Sequence, residues 1–255
     1  MKKIIILILA LGLTMLTAGE QFAMSDADRA MYEEMAENNP ADIFVDEGGE
    51  ILEETLDGDE GLAKFLEVSE DDLPTYIAGF PRYMKKLGAV VTLDQVVQAL
   101  QASQGKKVDA LDSENNAELL AYVKSLANDE NTTVDVSAND EMKAAYALGK
   151  KMYETKRGGR GFACTNCHAQ GAAGTILRTQ LLPSLAKAGT GITWPAYRMT
   201  ESKLVTLQQR FQGCMSDAMQ APLPLGSKEM VALELYITTL AKEGNPIIAI
   251  PGLKR

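Results

Sequence analysis

Residues 162–168, FACTNCH, decide which kind of domain this chain contains. Cys164 and Cys167 stand three positions apart and are followed at once by His168, which is the attachment signal of a c-type haem. In that arrangement each thiol adds to a haem vinyl group, and the histidine reaches the iron from one side. We therefore predict a covalently attached haem c, held by Cys164 and Cys167 and ligated by His168.

Two other kinds of CxxC site fit the rest of the chain less well. A thioredoxin-like redox disulfide needs a βαβ context, which the sequence lacks. A zinc site needs further cysteine or histidine ligands, and only Cys214 is left, because His168 is the one histidine in the 255 residues. The immediate histidine favours haem.

The ligand on the opposite face of the iron must be a residue other than histidine. Small cytochromes often use methionine there. Four methionines lie downstream at plausible distances: Met199, Met215, Met219 and Met230. The other candidate is Cys214.

Cys214 is the third cysteine of a chain that we predict to be exported, where an unpaired thiol needs an explanation. It follows a predicted helix and ends the run LQQRFQGC, directly before Met215. A free cysteine is also a common small buried residue, so both readings stay open at this point. Arg210, four residues earlier, would share a helix face with the sulfur, where it could favour the thiolate and hold a dianionic substrate. It could equally be a surface arginine with no such task.

An internal repeat organises the chain. Residues 80–127 match residues 194–241 without gaps at an offset of 114, which indicates tandem domains. In the repeat alignment, Leu100 corresponds to Cys214. When the same offset is carried upstream, three acidic residues correspond to the cysteines and histidine of the haem motif: Glu50, Glu53 and Glu54. We predict a first domain over 24–130, a polar linker over 131–138 and a second domain over 139–255.

Both copies have helical patterning. Apolar residues recur at helical spacing over 143–153, and again over 228–241 after a capping Ser227, whereas strand signals are weak. The predicted fold is all-α, with two tandem cytochrome c-like domains. The N-terminal one lacks a haem site, which leaves one haem for the whole chain.

The chain opens with a targeting segment. Lys2 and Lys3 precede an apolar run too short to span a bilayer, followed by small residues near 19–23. We predict a signal peptide over residues 1–23, cleaved near 19–23, and a periplasmic protein with no membrane association after its removal.

Charge is unevenly divided along the chain. Residues 25–75 carry 18 acidic and 2 basic residues, whereas residues 139–255 carry 8 acidic and 15 basic ones. The basic half would attract an anionic substrate or an acidic partner. Nothing in the sequence indicates nucleic-acid binding.

With these features in place, the sequence resembles the SoxA family, the A subunits of the Sox cytochrome complex of bacterial thiosulfate oxidation. The likeness covers nearly the whole mature chain. It includes AGFPRYMKKLGAVVTLDQ in the first copy and WPAYR, LQQRFQGC, LPLGSKEMVALELYI and IPGLKR in the second.

This resemblance implies an L-cysteine S-thiosulfotransferase that couples thiosulfate oxidatively to a cysteine of the carrier protein SoxYZ and passes electrons to a cytochrome c. It implies that Cys214 ligates the iron and reacts, often as a persulfide, and that Arg210 belongs to the catalytic site. It also implies a haem-bearing partner subunit, SoxX. Many relatives carry a second haem in the N-terminal domain, and this sequence departs from them.

Two other functions remain open from the residues alone. The first is a plain periplasmic electron-transfer cytochrome c in which Met215 or Met219 ligates the iron and no substrate reacts. The second is a scaffold whose domains only assemble other subunits.

Overall fold

The computed structural model describes residues 25–169, 171–177, 180–244 and 247–254. The predicted signal peptide, residues 1–23, lies outside this part of the chain. None of the helices in the described ranges is both long enough and apolar enough to span a bilayer.

Helices make up most of the regular structure, and short strands connect them. In the first half these elements are α1 (Asp26–Glu37), α2 (Asp42–Leu56), α3 (Gly58–Leu66), α4 (Leu73–Ile77), β1 (Arg82–Met84), β2 (Ala89–Val91), α5 (Leu93–Ser103) and α6 (Glu114–Ser125). In the second half they are α7 (Asp140–Glu154), α8 (Thr165–His168), β3 (Ile176–Leu177), β4 (Gln180–Leu181), β5 (Ala196–Arg198), β6 (Lys203–Val205), α9 (Leu207–Asp217), α10 (Lys228–Gly244) and β7 (Gly252–Lys254).

The prediction of an all-α fold is confirmed only for its helical part. The strands pair antiparallel as β1–β2, β3–β4 and β5–β6, and β7 adds to β5 in parallel. Each strand has two or three residues, which is too short for an alternating pattern to appear in the sequence. The closing run IPGLKR, quoted above for its resemblance, supplies β7.

The structure repeats at the offset read from the sequence. Strand β1 corresponds to β5, β2 to β6 and α5 to α9, and each pair begins 114 residues apart. Thr92 and Thr206 each begin their helix with a capping box, completed by Gln95 and Gln209. The same local chemistry therefore starts the same helix in both halves.

The upstream extension of this register was wrong. Helix α2 packs on α6 as α7 packs on α10, and Gly48 and Gly149 occupy equivalent places in these crossings. These glycines are 101 residues apart, because the second half has a longer connection after its first helix. Glu50, Glu53 and Glu54 lie within α2, so they are not the structural counterparts of the haem motif.

The two halves are in direct contact. The core of the first half takes up Ile192, Ile248 and Ile250 from the second half. Lys124 at the end of α6 donates hydrogen bonds to the carbonyl oxygens of Gly191 and Trp194, at 2.8 and 2.6 Å. The loop that leads into β5 is thereby held by the first half.

The predicted linker is packed rather than free. Within residues 131–138, Val134 is buried beside residues of α7 and α10. Thr133 donates its main-chain N–H to Ala78 at 3.0 Å, and Lys242 donates to the Val134 carbonyl at 2.6 Å. The segment therefore contacts both halves.

Candidate functional site

The haem motif forms a single helical turn, α8. Asn166 Oδ1 accepts a hydrogen bond from the Ala163 N–H at 2.8 Å, and the Cys164 carbonyl accepts from the N–H groups of Cys167 and His168. The two motif cysteines and Cys214 are partly buried free thiols. One turn thus presents two thiols and an imidazole close together.

The imidazole of His168 is oriented for ligation through Nε2. Its Nδ1 lies 3.0 Å from the carbonyl oxygen of Pro183, and a carbonyl can only accept, so Nδ1 carries the hydrogen. The lone pair is then left on Nε2. Burial lowers the pKa of His168, which favours the neutral form that a metal requires. The sequence did not indicate Pro183, because any residue can supply a carbonyl oxygen.

Helix α9 carries Arg210 and Cys214 one turn apart. Burial raises the pKa of the Cys214 thiol, and the Arg210 guanidinium counteracts this effect. Cys214 is also close enough to Cys167 and Cys164 for their charges to interact. The pKa of Cys164 is raised to about 11, mainly by burial and then by Cys214. Residues separated by nearly fifty positions therefore meet in one place.

Arg210 also acts on His168. Burial is the main cause of the lowered pKa of His168, and the positive charge of Arg210 lowers it further. The structure thus brings together all five residues that the sequence singled out: Cys164, Cys167, His168, Arg210 and Cys214.

The candidate methionines have different surroundings. Met215 is 3% exposed and packs, with Phe211, in the core cluster that contains residues of α10. Met219 follows the end of α9 and is 58% exposed. Met230 is fully buried in α10. Cys214 lies beside Arg210, on a different face of α9 from Met215.

The segment before the motif is fixed against the end of α9. The Phe162 carbonyl accepts hydrogen bonds from the Arg157 N–H at 2.9 Å and from Gln220 Nε2 at 2.6 Å. Gly158, at a φ of +71°, passes so close to the Met219 carbonyl that an added Cβ would lie 2.4 Å from it. The motif and the Cys214 helix are therefore held as one unit.

The residues present fit a haem. Ile176 and Leu177 are exposed in the hairpin that runs from the motif towards Pro183, and Phe162 is exposed beside the motif. Arg157, whose charge is close enough to act on the Cys164 thiol, has a buried Nε without a hydrogen-bond partner among the described residues. Apolar side chains and an arginine suit a macrocycle with an apolar body and anionic propionates. No cluster of three or more His, Cys, Asp or Glu side chains able to hold a metal ion occurs in the described ranges.

Comparison with known proteins agrees with this site. A family model described as SoxA/TsdA, cytochrome c domain, matches residues 148–247. L-cysteine S-thiosulfotransferase subunit SoxA of Hydrogenophilus thermoluteolus is 31% identical, over 96% of this chain and 94% of that protein. The SoxA subunit of Allochromatium vinosum is 28% identical, over 85% of this chain and 75% of its own length.

A solved structure extends the likeness to three dimensions. In the crystal structure of SoxXA from P. pantotrophus, one chain superposes with a TM-score of 0.70 at 25% identity, over 85% of this chain and 79% of that one. A haem motif, a cysteine facing it and near full-length similarity to named SoxA subunits lead to one conclusion: this chain belongs to the SoxA family.

Proposed function

We propose that this protein is the SoxA subunit of an L-cysteine S-thiosulfotransferase, which couples thiosulfate oxidatively to a cysteine of the carrier protein SoxYZ. The observation that carries the proposal is the position of Cys214 beside Arg210, facing the haem motif, in a chain whose relatives are named for this activity.

One haem c is held by this chain in our proposal, through thioether bonds to Cys164 and Cys167. His168 Nε2 and the Cys214 sulfur would be the protein atoms that hold the iron. The haem, when bound, supplies a one-electron acceptor next to the reacting sulfur. Support for a single haem comes from the sequence, which has one histidine and three cysteines.

The chain's own groups account for the sulfur chemistry. Arg210 attracts the thiosulfate dianion and holds it against the thiolate of Cys214. The outer sulfur of thiosulfate then forms a bond to the Cys214 sulfur, and two electrons leave towards the redox partners, so that a Cys–S–S–SO₃⁻ group remains. A thiolate of the carrier then attacks the sulfur atom that lies between the Cys214 sulfur and the sulfonate. This sulfur passes to the carrier together with the sulfonate, and Cys214 leaves as a thiolate.

Two electrons leave in this reaction and one haem takes one, so the second acceptor must lie outside this chain. SoxX, the haem-bearing partner, fits that role, and a solved complex of the family is named SoxXA. A cytochrome c then receives the electrons.

The domain organisation and location are part of the proposal. We place a haem-less cytochrome c-like domain over 24–130, its connection over 131–138 and the haem domain over 139–255, supported by elements that recur 114 residues apart. Residues 1–23 would direct the chain to the periplasm.

A plain electron-transfer cytochrome remains the second candidate, because Met215 is next to Cys214 and packs in the cluster that Cys164 also contacts. The two functions differ in what Cys214 does. An electron carrier with a methionine ligand would keep its function without that thiol.

The test uses the reconstituted complex with SoxX, SoxYZ and an electron-acceptor cytochrome c. We expect Cys214→Ser to abolish thiosulfate-dependent reduction of the acceptor, and Arg210→Ala to slow it at least tenfold. Intact mass of the mature protein counts the haems and detects added sulfur in the same measurement. Full activity in Cys214→Ser would refute the proposal.

A further inference from the structure

Helix α9 runs along the haem site and has a different neighbour at each end. Just beyond its C-terminal end, Gln220 Nε2 donates to the Phe162 carbonyl beside the haem motif, at 2.6 Å. At its N-terminal end, Leu207 packs with Ala196 and Val205 of the sheet β6–β5–β7. The eleven residues of α9 extend over about 16 Å. The segment of the motif cysteines and the sheet therefore lie at opposite ends of this helix.

A c-type haem has a fixed polarity within such a site. Its two vinyl groups, which become the thioethers, stand on one edge of the porphyrin, and its two propionates stand on the opposite edge. Because Cys164 and Cys167 hold the first edge, we expect the propionates at the end of the site that the sheet borders. Phe211 of α9 connects the two ends, since it packs against the cluster that contains Ala196 and also against the cluster on which Cys164 packs.

Lys254 lies on the face of this sheet that packs against α9. It pairs with Arg198 in the parallel β5–β7 register, as Gly252 pairs with Ala196. Alternate residues of a strand share a face, and so do paired residues of neighbouring strands. A Cβ added to Gly252 would accordingly lie 3.2 Å from the Cβ of Ala196. The Lys254 side chain therefore shares the face of Ala196, whose cluster packs against Phe211 of α9.

Lys254 is a buried amine without a partner in the part of the chain that the structure describes. The residue is 6% exposed, and no described group accepts a hydrogen bond from its Nζ or forms an ion pair with it. Burial lowers the pKa of Lys254 to about 8. A lysine is almost never fully buried unless it is paired, because an ammonium without an anion is costly to remove from water. The described residues do not supply that anion.

The two neighbours of Lys254 in the sheet differ from it in this respect. Lys203, Arg198 and Lys254 stand in a row across β6, β5 and β7. Glu201 lies 3.3 Å from the Arg198 Nε and 3.7 Å from the Lys203 Nζ. A described carboxylate therefore serves the β6 side of the row, whereas the β7 side has none.

We propose that Lys254 binds a propionate carboxylate of the haem c. A propionate would bring an anion to the place where the chain buries a cation, so that each group gains a charge-assisted hydrogen bond. Lys254 would then orient the haem and raise its reduction potential, because a nearby positive charge favours the ferrous form. This inference rests on the covalent haem and is independent of the thiosulfate chemistry.

Thiosulfate is the other anion that a buried lysine could bind here, and the two anions give different signatures. A lysine that binds a propionate affects the propionate bending bands of the resonance Raman spectrum and the reduction potential. It leaves KM for thiosulfate unaltered. A lysine that binds the substrate affects KM and leaves the propionate bands unaltered.

The sheet offers a matched control for the experiment. Lys254→Met and Lys203→Met each remove one lysine charge from the same row, and the Lys203 side chain is 61% exposed. In the haem-loaded protein, we expect Lys254→Met to shift the propionate bending bands and to lower the equilibrium constant of haem reduction about threefold or more. Lys254→Arg keeps a cation and should stay closer to the wild type in both measurements. Lys203→Met should equal the wild type.

If Lys254→Met yields no haem-loaded protein, Lys254→Gln replaces it with the same expected result. Wild-type bands and a wild-type potential in whichever neutral variant folds would overturn the proposal. So would a raised KM in the reconstituted complex with unchanged bands, because Lys254 would then face the substrate. The proposed function fails in a different way, through a Cys214→Ser complex that still reduces the acceptor in response to thiosulfate.

Discussion

Gly48 and Gly149 make the same backbone contact in the two halves of the molecule. A Cβ atom added to Gly48 would lie 2.1 Å from the Glu118 carbonyl oxygen, and one added to Gly149 would lie 1.9 Å from that of Ala232. Glu118 and Ala232 are 114 residues apart, the offset of the repeat. In each half two helices, α2 and α6 or α7 and α10, thus cross at a distance that only glycine permits.

Substitution of either glycine by alanine should push the two crossing helices apart. The obstacle is backbone rather than a movable side chain, so the helices must shift. We expect Gly149→Ala and Gly48→Ala to lower the free energy of unfolding by about 2 kcal/mol or more, despite the higher helix propensity of alanine. Denaturant unfolding measures this. Gly159→Ala is the control, since an added Cβ there would have no atom of a described residue within 4 Å apart from those of its chain neighbours. Equal stabilities in all three variants would contradict the prediction.

The repeat could be predicted from sequence only where its spacing is constant. Between the first strand and the last helix of each half, capping residues such as Thr92 and Thr206 recur in register, so the alignment was correct. Upstream, the connection after α2 differs in length from the connection after α7. A constant offset therefore aligned α2 with the haem motif. Only the packing of Gly48 and Gly149 reveals the true pairing, because it depends on contacts distant in sequence.

The candidate site was predictable where a rare residue type carries the chemistry. The lone histidine and three cysteines limited the choices, and the spacing of Arg210 and Cys214 predicted a shared helix face. Two features were beyond the sequence. Pro183 acts through a main-chain carbonyl, which has no residue signature. The short strands β5 and β6, which lead into α9, are too brief to leave a pattern.

Cys214 and Met215 should behave as opposites when substituted. With Cys214 as the proposed iron ligand, Cys214→Ser should change the haem absorption spectrum and abolish activity, because the sulfur ligand is lost. Met215→Leu should keep both, at a stability cost below about 1.5 kcal/mol, because it conserves apolar volume in a core. Ferric absorption spectra and unfolding curves check the pair. A spectrum that changes in Met215→Leu and not in Cys214→Ser would assign the ligand to methionine.

Lys124 should stabilise the contact between the halves far more than a surface lysine would. Lys124→Met removes two hydrogen bonds to main-chain oxygens and leaves the carboxylates of Asp94 and Glu234 without their nearby cation. We expect a loss of about 3 kcal/mol in the free energy of unfolding. Lys143→Met, which breaks an exposed ion pair with Asp140, should cost below about 0.5 kcal/mol. Equal costs would show that Lys124 is not a structural contact.

The buried Glu234 should make the free energy of unfolding depend on pH. It lies on α10, where Gln208 Nε2 donates to its Oε2 at 3.0 Å. The pKa of Glu234 is raised from 4.5 to about 7, mainly by burial and then by nearby Asp94, while Lys124 and the hydrogen bond from Gln208 act in the opposite direction. Between pH 4.5 and about pH 7, Glu234 is therefore mostly protonated in the folded chain and mostly ionised in the unfolded chain.

Stability should therefore fall as pH rises through that window. Because the folded pKa of this acid exceeds its unfolded value, the penalty is absent below pH 4.5 and complete above about pH 7. Glu234→Gln keeps an acceptor for Gln208 and cannot titrate. We expect the unfolding free energy of the wild type, minus that of the variant, to decrease by up to about 3 kcal/mol across the window. Denaturant unfolding at several pH values measures the difference, with the exposed Glu141→Gln as control. A difference that stays constant with pH would mean that Glu234 remains ionised in the fold as it does in water.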